Sequence, residues 1–500
     1  MVNEFEKRLV DHMLGPEALS GNLLLVTDGY KFSMAQAGFP LREETFHLSF
    51  RKGGPFYIPI DLEKVVRNLL SRLTMPTTNA SDFLEKHGYG LTPAMAAAVK
   101  AQDEVHIWAA PEGSWVQDKE PVLTITGPSF LISWLEPLAI MLHFPIQIGT
   151  AIKKDEMPVT FTATCADEAH IVRLICDSMR YPVFTDVDSK TYHQGVADRT
   201  DALVKVLCGE DDRFTSKLRM FEVGLRAATC LQQHLGALYA MQQRGVVQTS
   251  NVFGAHLFNM IPVGTTGHEH QQRWGNDLDA FRAVRDMRDR PPSYLFDTYD
   301  AMKIGIPAMV QAMREVGPTT ADKCSIRFDN YPEQDAQFQE FTLRCKHAML
   351  PYPTFIFEDG FNEEKTQATE DEYRDFALGN TKRLYGYGGH LTTNPDCLFT
   401  RNNVSAVYKL CRSSGQARMK FSNSGKESIP GIPKVVRRLE DGVILHGKII
   451  QGGELPGDGF QRIEDVKIEG VPPMGTVVLS EQTQLLRDAL VEKRDAMMKE

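Results

Sequence analysis

SYLFDTYD, residues 293 to 300, opens the series that decides the fold. SIRFD (325–329), TFIFED (354–359) and RLYGYGG (383–389) follow at nearly even intervals, and LRMFEVG (218–224), VVQTSNV (246–252) and IPVGTT (261–266) precede it. Each is an apolar run of strand length, and the stretches between them carry helical spacing. Strands that alternate with helices predict a parallel sheet with helical crossovers, closed as a barrel or laid out open. Polar residues gather where each run ends: Ser250 and Asn251, Thr265 to His268, Asp297 and Asp300, Asp329, Glu358 and Asp359, then Gly388 and Gly389. In α/β barrels that end of the strands carries the active site.

On either side the period changes. Thr45–Phe50 and Glu104–Thr126 alternate apolar and polar residues in short runs, the pattern of antiparallel sheet, and helical spacing over Asp61–Leu73 and Thr92–Lys100 makes this an α+β region. Val407–Val478 returns to strands (VYKL, KFS, GVILHGKII, GTVVL) that are expected to pair back onto the first sheet, and Glu481–Glu500 reads as a terminal helix. The expected architecture is α/β: an N-terminal α+β domain over 1–155, an irregular α/β barrel over 156–400, and a segment over 401–500 that returns to the N-terminal domain.

A chain of 500 residues, 42% hydrophobic and 24% charged, can bury a large core, which excludes a disordered or fibrous protein. The balance of 55 Lys+Arg against 65 Asp+Glu leaves a net charge of -10 and no basic stripe, so nucleic acid is not an expected partner. No two of the eight cysteines sit at the spacing of a zinc or redox pair, and free thiols in a reducing cytoplasm are expected. MVNEFEKRLVDHMLG lacks the apolar stretch of a signal peptide. The most apolar region, Ser129–Ile146, is interrupted by Glu136, Pro137, His143 and Pro145, so it predicts buried helix and no membrane span.

GTTGHEHQQ (264–272) is the strongest local signal, a Gly-Thr turn presenting backbone amides and hydroxyls with His268 just beyond. Histidines at i and i+2 do not share a helix face, which disfavours zinc; a solvated turn histidine is the plain alternative. Asp297, Asp300, Arg327 and Asp329 are either caps and structural partners or a set that meets Mg2+, sugar hydroxyls or a developing cation. GYGGHL (386–391) offers three glycines that could bring amides against a phosphate. Tyr30 is either a core aromatic or a platform for a flat heteroaromatic ring.

In their order along the chain these motifs resemble those of the nicotinate phosphoribosyltransferase family. LLLVTDGYKFSMAQA (23–37) is similar to its TDxYxxxM block, FRKGGPF (50–56) to FRKNPF, FEVGLRAA (221–228) to EFGLRRA, and TSNVFGA, GTTGH and GNDLDAF to its TSNVLAG, GTxAH and GDExxAF series. DTYD, RFD, KFSNSGK (420–426) and SIPG (428–431) complete the order. The resemblance implies an open-faced α+β sandwich built from both chain ends beside the barrel. It further implies a cytoplasmic enzyme that moves a ribosyl 5-phosphate from phosphoribosyl pyrophosphate to the ring nitrogen of nicotinate, coupled to ATP hydrolysis, with Mg2+ as cofactor. Residue by residue, Tyr30 would stack on the pyridine ring, Arg226 would face its carboxylate, and His268 would be transiently phosphorylated by ATP. Asp297 and Asp329 would lie near the ribose and the pyrophosphate, and Gly388 and Gly389 at the 5-phosphate. Arg51, Glu222, Ser250, Thr265 and Arg327 would be substrate contacts. A homodimer with shared active sites is implied, in which Tyr30 and Arg51 complete the partner's site. Glu269 is expected to orient His268.

The sequence departs from the family pattern at several points. GxRxDSGD stands here as SIRFDNYPE, Glu358 replaces a usual Ser, Gly389 a usual Thr, and Ala227 the second Arg of EFGLRRA; residues 150–215 exceed the usual connection. Two alternatives follow: a nicotinamide-using relative, and a non-catalytic homologue that binds phosphoribosyl pyrophosphate.

Overall fold

The computed structural model describes residues 4–208, 219–373, 382–421, 427–440, 443–468, 470–473 and 475–499. At the centre of one sheet, β1 (Glu43–Phe50) pairs antiparallel with β5 (Pro121–Pro128), and β5 with β3 (His106–Ala109). On its other side β1 pairs with β15 (Ala406–Ser413), which carries β16 (Gln416–Ala417). β2 (Phe56–Tyr57) and β4 (Trp115–Val116) form a small ladder of their own. The polar residues of β1, Glu44, Thr45, His47 and Ser49, are buried along with its apolar ones. Glu44, which shares its face of the strand with Phe46 and Leu48, accepts two 2.8 Å hydrogen bonds from the Arg273 guanidinium.

Residues 160–208, which carry no motif, form a βαβ unit in which β6 (Thr160–Ala163) and β7 (Phe184–Val187) run parallel around helix Ala166–Ser178, followed by helix Ser189–Cys208. The remainder of the stretch to 215 lies outside the described residues. The seven runs of the decisive series all become parallel strands: β8 (Met220–Glu222), β9 (Gln248–Thr249), β10 (Ile261–Pro262), β11 (Ser293–Leu295), β12 (Ser325–Phe328), β13 (Thr354–Phe357) and β14 (Arg383–Tyr387). Their order in space is β10-β9-β8-β14-β13-β12-β11. β14 pairs with β8, as in a barrel, and the ring is interrupted once, between β10 and β11, where side chains bridge instead of a backbone ladder: Thr266 Oγ1 donates to Ser293 O at 3.3 Å and Gln271 Nε2 to Leu295 O at 2.6 Å.

Ser129–Trp134, Glu136–Met141 and His143–Lys153 are buried helices, as the interrupted apolar run predicts, and no helix among the described residues is long and apolar enough to cross a membrane. None of the eight cysteines is in a disulfide. In the C-terminal part a further sheet runs β19-β17-β18-β20, made of β17 (Pro433–Glu440), β18 (Val443–Gln451), β19 (Gln461–Arg462) and β20 (Thr476–Leu479), with helix Glu481–Met497 after it. PKVVRRLE is thus a strand that the sequence reading passed over. KFS is not a strand: Lys420 and Phe421 lie between β16 and β17, and Ser422 to Lys426 fall outside the described residues.

Candidate active site

Helix Gly29–Gln36 docks onto the carboxyl end of the barrel. Gly29 N donates to Ser250 O at 2.8 Å and Val252 N to Thr27 O at 3.0 Å. The approach is close because two glycines face each other: a Cβ on Gly264 would stand 2.4 Å from Tyr30 N, and one on Gly29 2.6 Å from Val263 O. The glycine of the GTTGH turn therefore admits the neighbouring chain. The docking leaves a cavity of about 800 Å3 between the strand ends, the first turn of the Tyr30 helix and β15.

His268 begins helix His268–Trp274 just after β10. Asp297 and Asp329 arrive from the ends of β11 and β12, at 3.7 Å from Nδ1 and 3.4 Å from Nε2. Nδ1 also meets Thr298 Oγ1 at 3.1 Å, and Lys420 Nζ stands 2.7 Å from Nε2. An ammonium has only protons to offer, so Nε2 accepts from Lys420 and the imidazole proton sits on Nδ1. Burial, then the Lys420 charge, hold the imidazole below its ordinary pKa of 6.5, against the pull of both aspartates. His268 is neutral at pH 7, with its lone pair on Nε2. Burial works against ionising Asp329, but the Arg327 charge, with that of Lys420 behind it, overcomes this and keeps the carboxyl well below the usual range.

At one end of the cavity lies Tyr30, whose hydroxyl donates to Glu136 at 2.8 Å. Lys31 Nζ bridges Glu136 at 2.6 Å and Glu269 at 3.0 Å, all three side chains nearly or wholly inaccessible. Arg226 stands 5.7 Å over the Tyr30 ring, 3.4 Å from Asp28 and 3.6 Å from Glu136. This end combines an aromatic face, one partly exposed guanidinium and buried acids. The other walls are cationic, with Arg51, Arg401, Lys409 and Arg199 lining the cavity beside Gly388 and Gly389. Burial pushes the Lys409 ammonium down to about 7; Glu136 opposes this, while Lys420, Arg226 and Arg51 reinforce it. A lysine is charged below its pKa, so attraction for an anion is present at pH 6 and lost as pH rises through 7. Binding of inorganic pyrophosphate, measured by calorimetry, is expected to weaken about tenfold more between pH 6 and 8 in the wild type than in Lys409→Arg, whose charge persists. Parallel pH profiles would rule this out.

Most of the residues singled out from the sequence meet in this cavity: Tyr30, Arg51, Arg226, His268, Arg327, Asp329, Gly388 and Gly389 line it, and Asp297 stands behind His268. Within this chain Tyr30 and Arg51 line the same cavity as His268. Glu222 is no substrate contact. It is wholly buried, accepting from Thr249 Oγ1 at 2.6 Å and lying 2.9 Å from His234 Nε2. Ser250 spends its hydroxyl on Asp28 at 2.6 Å, and Thr265 accepts from Arg327 at 3.3 Å, so both support residues of the wall. Arg327 itself is paired with Asp329 and Glu358 at 3.1 and 2.9 Å. Asp300 is a helix cap, accepting from Lys303 N. Glu269 turns to Lys31 and Ser133 and does not orient His268; Thr298 does. Of the three GYGG glycines, Gly386 serves packing, because a Cβ there would stand 2.6 Å from Glu358 Cγ.

Lys420, Lys31, Glu136, Arg401 and Lys409 were missed as site residues. Glu136 carried a signal, a lone carboxylate inside the apolar run 129–146, which implies a buried partner. Lys409 reaches the site through the pairing of β15 with β1, and Lys420 opens the KFSNSGK motif, which by itself assigned the lysine no role.

No family model matches the chain. It is 28% identical over 216 residues to nicotinate phosphoribosyltransferase pncB2 of Mycobacterium tuberculosis, a match that covers 43% of each protein. The chain thus spans less than half the length of that relative. It is 28% identical to nicotinate phosphoribosyltransferase 2 of Arabidopsis thaliana over 94% of its own length and 81% of that protein. Among solved structures, nicotinate phosphoribosyltransferase from Vibrio cholerae superposes with a TM-score of 0.57 at 18% identity, over 83% of this chain and 92% of that one. The enzyme of that name from Porphyromonas gingivalis gives 0.56 at 17%, over 81% and 95%. At these identities the structural likeness concerns the fold.

Proposed function

We propose that this chain, a relative of the nicotinate phosphoribosyltransferases in sequence and in fold, transfers the phosphoribosyl group of phosphoribosyl pyrophosphate to the ring nitrogen of nicotinate, with ATP phosphorylating His268. The observation that carries this reading is the neutral His268 between Lys420, Asp297 and Asp329, in a cavity that is aromatic and acidic at one end and cationic along its other walls. In the ATP step Nε2 attacks the γ-phosphorus, a nitrogen–phosphorus bond forms, and the bond to ADP breaks. Lys420 faces the charge that arrives. In the transfer step the pyridine nitrogen attacks the anomeric carbon as its bond to pyrophosphate breaks. That carbon becomes oxocarbenium-like, and Asp297 and Asp329 stabilise it.

The donor set suits a hard cation. Ligand atoms of His268, Asp297 and Asp329 lie within 4.8 Å of one another, and Asp297 Oδ1 is buried without a hydrogen-bond partner. Asp297 and Asp329 would hold Mg2+, whose charge offsets that of the departing pyrophosphate.

A second reading, nicotinamide as the base, is favoured by one observation: Arg226 already faces Asp28 and Glu136, which reduces the charge left to select a carboxylate. Arg226→Gln is expected to raise the KM of nicotinate about tenfold, or about 1.4 kcal/mol, while that of phosphoribosyl pyrophosphate stays within twofold. An unchanged nicotinate KM would remove Arg226 as the selector. The reading as a whole is tested by mononucleotide formation from nicotinate and from nicotinamide, with and without ATP. Nicotinate turnover stimulated by ATP is expected, preference for the amide would establish the second reading, and no product from either base would overturn both.

A further inference from the structure

Helix Ser189–Cys208 follows the βαβ unit and carries none of the motifs that point to function, yet it grips the glycine loop. Its Tyr192 hydroxyl donates to Thr392 O at 2.6 Å, and its Arg199 Nη2 donates to Leu391 O at 3.1 Å and Thr393 O at 3.5 Å. Three successive carbonyls at the end of the Gly389–Thr392 turn are thus held by two side chains of one helix. A single turn of helix cannot satisfy its own terminal carbonyls, so its shape depends on such outside partners.

Arg199 does more than brace, because it also lines the cavity. Arg226 and Arg327, in the same wall, are each paired with two carboxylates. Among the described residues Arg199 makes no such ion pair, and its Nε is buried without a hydrogen-bond partner. Burial accordingly holds its pKa below the ordinary arginine value. Glu363 and Asp198 act on it only from beyond ion-pair distance, and a partly desolvated guanidinium without a contacting carboxylate gains from an anionic ligand, its fork suiting a phosphate.

We infer that Arg199 and Tyr192 are positioning residues for a sugar phosphate: together they fix the turn from Gly388 to Thr393, and Arg199 sets its charge beside the phosphate monoester held there. This rests on the reading of the cavity as a phosphoribosyl site. The two are separated by titrating ribose 5-phosphate calorimetrically into the wild type, Arg199→Met, Arg199→Lys and Tyr192→Phe, alongside initial rates with both substrates.

Arg199→Met is expected to weaken ribose 5-phosphate binding at least tenfold and to raise the KM of phosphoribosyl pyrophosphate in proportion, with the nicotinate KM within twofold. Arg199→Lys restores part of the loss through its charge. Tyr192→Phe, which keeps every charge and nearly all of the volume, weakens ribose 5-phosphate binding severalfold through the turn alone, and serves as the decisive variant should Arg199→Met not fold. Wild-type affinity in Arg199→Met, or in Tyr192→Phe where that variant decides, overturns the inference, as does an equal loss for both substrates. A wild type that binds no ribose 5-phosphate overturns the phosphoribosyl reading itself.

Discussion

His268→Ala is expected to abolish acid-labile phosphate incorporation from ATP and to lower the ATP-stimulated rate by about 100- to 1000-fold, the range for deleting one group that acts directly on a transition state. The side chain faces the cavity and its partners are Thr298, Lys420 and two aspartates, so its loss leaves the barrel core intact. Retention of the phosphate label would transfer the nucleophile to another residue. Lys420→Met gives the complementary result. Its charge helps hold the imidazole below 6.5, so without it the histidine protonates at higher pH. Because only the neutral ring is nucleophilic, the acidic limb of the rate profile moves upward in that variant. An unshifted limb would separate Lys420 from the titration.

Arg437→Met is expected to destabilise the protein by about 3–5 kcal/mol, read as a lower urea midpoint, because it strands a carboxylate in the interior. Arg437 on β17 and Glu120, just before β5, are both wholly inaccessible and joined through Nη1 and Nη2 of the guanidinium; Nη2 also donates to Trp115 O at 2.9 Å. β18 makes room for them with Gly447, where a Cβ would stand 1.9 Å from Glu120 Oε1. The pair anchors the four-stranded sheet to the first sheet. The double variant Glu120→Gln/Arg437→Met removes the uncompensated charge and is expected to recover most of the loss. A single variant as stable as the wild type would show that water reaches Glu120.

The barrel was legible because its strands are apolar runs bounded by polar ends, a pattern that local periodicity captures even where β9 and β10 are two residues long. His268, Asp297, Asp329 and Arg327 were legible for the same reason, since strand ends converge whatever the helices between them do. Long-range ion pairs were not. Lys31 reaches Glu136 and Glu269 across more than a hundred residues, and no period along the chain reports such a pairing. Glu269 illustrates the limit: adjacency to His268 suggested partnership, but successive helical residues point about 100° apart, and the two side chains serve different networks. The alternation on β1 was read correctly as a strand, while the burial of its polar residues depends on partners far along the chain, as Glu44 does on Arg273.

The break in the ring between β10 and β11 gives the barrel a mechanical grain. Spreading any other pair of neighbouring strands breaks backbone-to-backbone hydrogen bonds, whereas this one line is crossed by side chains, Thr266 to Ser293 O and Gln271 to Leu295 O. His268 follows the strand on one bank and Asp297 the strand on the other. The one line of the ring without a backbone ladder therefore passes beside the imidazole and Asp297, so the spacing of those two groups is set by side-chain bonds, from Thr266, Gln271 and His268 itself, and not by strand pairing.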